Sequence, residues 1–357
     1  VSVPRLEVDL DKIHHNAREL VERLGRRGIG VTAVTKAFLG WPPIVEQLQR
    51  AGVAGLGDSR LENIVAMRAA GITAPITLVR SPMLSQVEDV VEHVDVSLNT
   101  ELTVLRALSS AAVATATATG RRHGVVLMVE LGDLREGILP ADLVGVAAEV
   151  VGLAGLDLVG IGANLACQNG IAPDARNMAE LSALATSIEA ALGIELAVVS
   201  GGNSANLDWA LGGVDVGRVN DLRLGESILL GRETLRREPI EGLFTDAFTL
   251  VAEVIESKVK PSAPWGMAGL SAFGLAPPVI DRGDRRRVIV AVGHHDTDPA
   301  GLTPPEGYAV VGASSDHLVL DTGGVVVAVG DEVRFGLDYR ALIGAMSSPF
   351  VTRRSPL

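Results

Sequence analysis

The chain has 357 residues, 47% hydrophobic and 21% charged, which is too much for one ordinary core and too apolar for disorder. Its net charge of −12 argues against nucleic acid or an anionic membrane surface as a partner. The single cysteine, Cys167, excludes an internal disulfide and fits a reducing, cytoplasmic setting; the opening residues do not read as a secretory signal, and no apolar run reaches membrane-spanning length.

In chain order, strand and helix alternate. Leu6–Asp9 reads as a short strand, and Asp9 or Asp11 caps a polar helix ending near Gly25 or Gly28. Val31–Thr35 is a β-branched strand that stops at Lys36, ahead of the turn-forming Gly40-Trp41-Pro42-Pro43. The two prolines start a helix running to about Gly52, Val53–Gly57 is a strand, and Asp58-Ser59 caps a helix ending near Gly71. Strands follow at Ile76–Val79, Val94–Leu98, Val125–Glu130, Leu156–Gly162, Leu196–Ser200 and Val219–Leu224. Helices fill the gaps: Leu84–His93, Thr100 to about Thr117, a segment beyond Pro140, Asp174–Leu192, Ser204–Leu211, and a last one ending near Gly231. From the strand of Lys36 to that of Arg223 there are about eight strands, the number that closes a barrel. The expected fold is a (β/α)8 TIM-type barrel over residues 1–238.

After about Pro239 the pattern changes to strands with Gly, Pro and Asp between them: Phe244–Ser257, Arg287–Val292, Tyr308–Val311, His317–Asp321 and Val333–Leu337. This predicts a smaller, mostly-β domain over 239–357. Within it Trp265–Pro278 reads as a long loop and a candidate functional element.

Four barrel strand ends carry unusual polar sets. Lys36 is the first. An amine held among apolar neighbours loses hydration, its pKa falls, and it becomes a usable nucleophile; the plainer alternative is a strand-end lysine that reaches solvent. The second is the loop from Glu130 through Arg135 to Gly137. The third is Ser200-Gly201-Gly202-Asn203-Ser204, and the fourth is Arg223-Leu224-Gly225-Glu226-Ser227. The last two lie where barrels commonly build a phosphate site from loop amides. No dinucleotide or Walker fingerprint is present. A small phosphorylated cofactor with a lysine at its other end points to pyridoxal 5′-phosphate, an aldehyde for an amine and a phosphate for an amide nest.

These residues resemble a known family. Val34-Thr35-Lys36-Ala37, the Gly132–Gly137 loop, Gly202-Asn203-Ser204 and Arg223-Leu224-Gly225 are similar to the fold-type III pyridoxal-phosphate enzymes, the alanine racemase superfamily, and closest to its alanine/ornithine racemase branch. Gly312–Asp321 and Gly330–Val333 resemble that family's β domain, so the likeness spans nearly the whole chain. It implies an amino-acid racemase. Lys36 would bond the cofactor and serve as one of two bases at the substrate Cα. Arg223 would face the ring nitrogen without surrendering a proton. Ser204 with the Gly225 and Glu226 amides would hold the phosphate, and Asn203 would support them. Arg135 would reach the cofactor or the substrate carboxylate, and Asn164 would lie near the ring. The resemblance also implies a homodimer in which the β domain of one subunit completes the site of the other.

The chain departs from the family at the second base. A tyrosine four residues beyond the lysine is Gly40 here, and Leu270–Gly274 carries Phe273 where the partner subunit's tyrosine is expected. The remaining candidates for the opposite face are Cys167, Asp316, His317 and Tyr339. Taken alone, Arg135 can equally pair with Asp133 or Glu136 on the surface, Arg223 can pair with Glu226, and Asn203 can be a helix cap. His294-His295-Asp296 with Asp298 is a weak metal pattern, and no metal is expected. Two rivals to the racemase remain. One is other fold-type III chemistry, a D-amino-acid aldolase or dehydratase. The other is a non-catalytic cofactor-binding protein, against which the added β domain counts.

Overall fold

The structure, a computed structural model, describes residues 4–267, 269–270, 274 and 280–355, with the backbone alone for 116–119. The chain divides into two compact units. One is Asp11–Thr245, and the other joins the N-terminal strand to the segment from Asp246 onward. Among the described residues, no helix is long and apolar enough to cross a membrane.

The first strand, β1 (Arg5–Val8), precedes the helix α1 (Leu10–Gly25). The larger unit is then a closed barrel of eight parallel strands: β2 (Gly30–Val34), β3 (Gly55–Asp58), β4 (Ile76–Leu78), β5 (Val96–Asn99), β6 (His123–Val129), β7 (Leu156–Ala163), β8 (Val198–Ser200) and β9 (Asp221–Leu224). The helices between them are α2 (Pro42–Arg50), α3 (Leu61–Ala69), α4 (Val87–His93), α5 (Leu102–Thr119), α6 (Leu143–Val151), α7 (Ala175–Leu192) and α8 (Leu207–Leu211), with α9 (Glu226–Leu230) after β9. In α1 the buried residues Ile13, Asn16, Ala17, Leu20 and Leu24 recur at helical spacing and form one face. Asn16 is fully buried there. It donates to the carbonyls of Ile228 and Phe244 and accepts from the Phe244 N–H, so every polar atom of its amide is paired.

The barrel closes where β2 meets β9, with Gly30, Val31, Thr32 and Ala33 opposite Asp221, Leu222, Arg223 and Leu224. The strand seams are tight where glycine replaces a side chain. A Cβ on Gly160 of β7 would sit 2.0 Å from the Val198 carbonyl oxygen of β8.

The smaller unit is an antiparallel sheet in the order β12 (Leu302–Thr303), β15 (Glu332–Leu337), β10 (Phe248–Pro261), β11 (Asp284–Val290), β14 (Leu318–Asp321), β13 (Ala309–Ala313). A helix, α10 (Tyr339–Ser347), and a last strand, β16 (Thr352–Arg354), complete it. The sequence reading placed the first strand with the barrel. Instead β1 pairs antiparallel with β10 and parallel with β16. The reason lies in contacts distant in sequence: Leu6 and Val8 are fully buried, and the Arg5 guanidinium meets both oxygens of Glu332 at 2.6 and 2.7 Å. Phe273, where the family's tyrosine was expected, lies outside the described residues, as does much of the predicted Trp265–Pro278 loop.

Gly160→Ala tests the seam. Overpacking against a backbone oxygen that cannot move is expected to cost about 1–3 kcal/mol. In urea unfolding the midpoint should fall while the slope stays unchanged.

Candidate active site

Lys36 does not end β2. The strand stops at Val34, and Lys36 opens a short 3₁₀ turn, Lys36–Phe38, whose following residue Leu39 takes a left-handed conformation at φ 56°. Lys36 as a residue is exposed, yet protein is packed around its amine. That lost hydration is the main cause of a pKa below the ordinary lysine value. The proximity of Cys167 opposes the shift, Arg135 adds to it, Asp58 opposes it and Arg223 adds to it. These five groups come from the ends of five strands or their loops, and the other four are close enough to Lys36 for their charge to act on its amine.

Asp58 was read from sequence only as a helix cap. It is fully buried at the end of β3, where it accepts from the Thr35 hydroxyl, from the Arg60 N–H at 2.8 Å and from the Asn63 amide at 3.1 and 3.2 Å. Burial raises its pKa, and these donors together with Lys36 hold it back. Because Thr35 adjoins Lys36, the carboxylate both anchors the turn that carries the amine and offsets its charge. Hydrogen bonds to a charged group contribute about 1.5–3 kcal/mol each, which is why the buried anion is tolerated.

At the neighbouring rim, β8 and β9 end in a cluster of donors. Ser204 Oγ lies 3.4 Å from the Gly225 N–H, 3.3 Å from the Ser227 N–H and 3.0 Å from the Ser227 hydroxyl. Two amides and the Ser227 hydroxyl converge on Ser204 Oγ, a donor set of the kind that holds an oxyanion. Gly202, at φ 146°, has no room for a side chain, since a Cβ there would meet Asn206 Oδ1 at 2.2 Å. Asn203 caps the following turn through the Ala205 N–H and donates to Asn164 Oδ1 at 3.2 Å and the Leu165 carbonyl at 2.9 Å, tying the β7 and β8 loops together. The Glu226 carboxylate meets Arg237 at 3.1 Å, and Ser227 beside it brings its own N–H and hydroxyl to Ser204 Oγ.

Arg223 is buried, and its Nη2 donates to the Ala163 carbonyl at 2.7 Å and to Asn164 Oδ1 at 3.5 Å. Desolvation lowers its pKa from the ordinary value, and Asp221 opposes that shift. Arg135 is exposed and pairs with Glu136 at 2.9 Å, so the surface ion pair and the reach toward Lys36 coexist.

Asp133 is a further residue that sequence missed. It is buried at 1% exposure and receives the backbone N–H groups of Cys167, Gln168, Asn169 and Ile171 at 3.1, 2.8, 3.1 and 3.3 Å. Burial alone would raise its pKa, but the four amides together outweigh it and the pKa falls. The β6 loop thereby clamps the loop that presents Cys167. In the smaller unit, Asp316 is exposed and meets His295 Nδ1 at 3.2 Å, and Asp296 takes the Gly293 N–H. Among the described residues no three His, Cys, Asp or Glu side chains group as metal ligands. Tyr339 opens α10, capped by Asp338.

Asp133→Asn should free the two amides bonded to Oδ2 and speed hydrogen exchange across residues 167–171 by more than about tenfold, the equivalent of about 1.4 kcal/mol. A carboxylate with a depressed folded pKa contributes stability above its unfolded pKa and loses it as pH falls through the folded one. Protection of that loop in the parent protein should therefore be full near neutrality and fade in acid.

Comparison with known proteins bears on the same residues. Residues 8–232 match the family described as alanine racemase, N-terminal domain. A lysine racemase from Thermotoga maritima is 39% identical, covering 98% of each chain, and an ornithine racemase from Acetoanaerobium sticklandii is 36% identical, covering 98% of this chain and 99% of its own. The solved alanine racemase of Streptomyces coelicolor superposes with a TM-score of 0.76 at 20% identity, covering 98% of this chain and 97% of its own. A match over most of the barrel, with full-length relatives, establishes that this chain belongs to the alanine racemase family.

Proposed function

We propose that the protein is a pyridoxal 5′-phosphate-dependent amino-acid racemase acting on a basic amino acid such as lysine or ornithine, with alanine as the smaller alternative. The observation that carries this reading is the meeting, at one barrel rim, of an amine made less basic by the protein packed around it and a set of amide and hydroxyl donors on the adjoining strands. The residues fit the cofactor. Lys36 would hold its aldehyde carbon. Ser204 with the amides of Gly225 and Glu226 would hold its phosphate, joined by the Ser227 hydroxyl and amide. Arg223 would face the ring nitrogen, and Asn164 and Asn203 would brace the loops around it.

When bound, the cofactor supplies an electron-withdrawing ring that makes the substrate Cα–H acidic. The chain supplies the rest. Arg135 orients the substrate carboxylate. Lys36 Nζ takes or returns a proton on one face of Cα. On the opposite face the reading puts Cys167 Sγ, on the loop that Asp133 fixes. Arg223 keeps its proton and so limits side reactions at the ring. The reading includes a cytoplasmic homodimer, in which Asp316 of a second copy is the competing base.

Deuterium wash-in at Cα from heavy water, followed by mass spectrometry over L- and D-lysine, ornithine and alanine, tests this. Exchange with inversion is expected for both enantiomers of at least one. Cys167→Ala should lower racemisation by about a thousandfold while leaving exchange from one enantiomer. No exchange with any of them in the presence of pyridoxal 5′-phosphate would refute the reading. Equal loss from both enantiomers would move the second base elsewhere.

A further inference from the structure

Arg223 is not held by backbone alone. Its Nη1 donates to Ser200 Oγ, and the Ser200 hydroxyl donates to Asp221 Oδ2. The direction is forced: guanidinium can only donate, serine has one proton, and an ionised carboxylate can only accept. The other Asp221 oxygen takes the Thr32 hydroxyl at 2.7 Å. The chain of contacts follows the register, since Ser200 and Asp221 are direct partners across β8 and β9, while Thr32 and Arg223 are partners across β2 and β9.

This relay occupies an unusual place. Thr32, Ser200, Asp221 and Arg223 all line a cavity of about 260 Å³ inside the barrel, kept open by small residues such as Gly30 and Gly55 at the N-terminal ends of their strands. Barrel interiors are ordinarily filled by bulky branched side chains. Asp221 is therefore half-buried on the wall of this space. The other charged groups acting on Arg223 are Arg135, which opposes its charge, and Glu136, which favours it; Lys36 feels Arg223 in turn.

We infer that Asp221, acting through Ser200, is a positioning residue that orients the Arg223 guanidinium and offsets its charge, and so sets the protonation behaviour of the cofactor that Arg223 faces. The inference rests on the cofactor reading above. Removing a negative charge makes the site more positive, so protonated forms of the bound cofactor lose ground and a titration midpoint moves down.

The test uses the holoprotein loaded with pyridoxal 5′-phosphate and follows its visible absorbance against pH. Asp221→Asn should lower the midpoint by on the order of one pH unit. Ser200→Ala should shift it the same way by less, and the double variant should shift no further than Asp221→Asn, as members of one relay do. Ser200→Thr, which keeps the hydroxyl, should stay near the parent and guards against misfolding of the charge variant. An unmoved midpoint in folded Asp221→Asn or Ser200→Ala would overturn the relay, as would shifts from the two sites that simply add. A parent protein with no visible cofactor band would instead sink the cofactor reading, and this inference with it.

Discussion

The pairing of the first barrel strand with the last governs this site. Because β2 lies beside β9, the turn that carries Lys36 sits next to the strand that carries Arg223 and the loop that carries Gly225. The fit is close: a Cβ on Gly225 would already touch Val34 at 3.3 Å. Two cations are thus brought to one rim of one barrel. Burial is the main cost to each charge, and Arg223 adds to it at Lys36. The lowered basicity of Lys36 follows from this crowding and not from any single neighbour.

Such a site is tenable only because carboxylates are built in beneath it. Asp58 braces Thr35 and faces Lys36, and Asp221 sits behind Ser200 and Arg223. Asp133 does a different task with the same chemistry, gathering four amides and so tying the Cys167 loop to the β6 loop. None of the three is free. Each is satisfied by hydroxyl or amide donors, as a charge taken wholly or partly out of water must be. The chemistry-bearing side chains lie at the rim, and the residues that fix their charge and direction lie one step behind them.

Much of this could be read from the chain itself. Strand–helix alternation gave the eight-stranded barrel and the change of pattern after it, because parallel strands buried on both faces are apolar runs spaced by helices. Lys36, Ser204 and Arg223 stood out because such residues are unusual at strand ends. Asp58 and Asp133 did not, because aspartate in a turn is ordinarily a cap, and Asp221 did not, because it lies within a predicted strand; only register shows which of them lies under a cation. The same limit hid the fate of β1, whose partners are residues 248–251 and 352–354, far away in sequence. It also hid α10, where the short apolar stripe Ala341, Leu342, Ala345 and Met346 is interrupted by Gly344.

The central claim is a covalent bond to one amine. The chain has four lysines, Lys12, Lys36, Lys258 and Lys260, so the assignment is easily resolved. Reduction of the cofactor-loaded protein with borohydride, followed by peptide mass mapping, is predicted to leave the phosphopyridoxyl mass on Lys36 alone. An unmodified Lys36, or the label on any of the other three, would contradict the account.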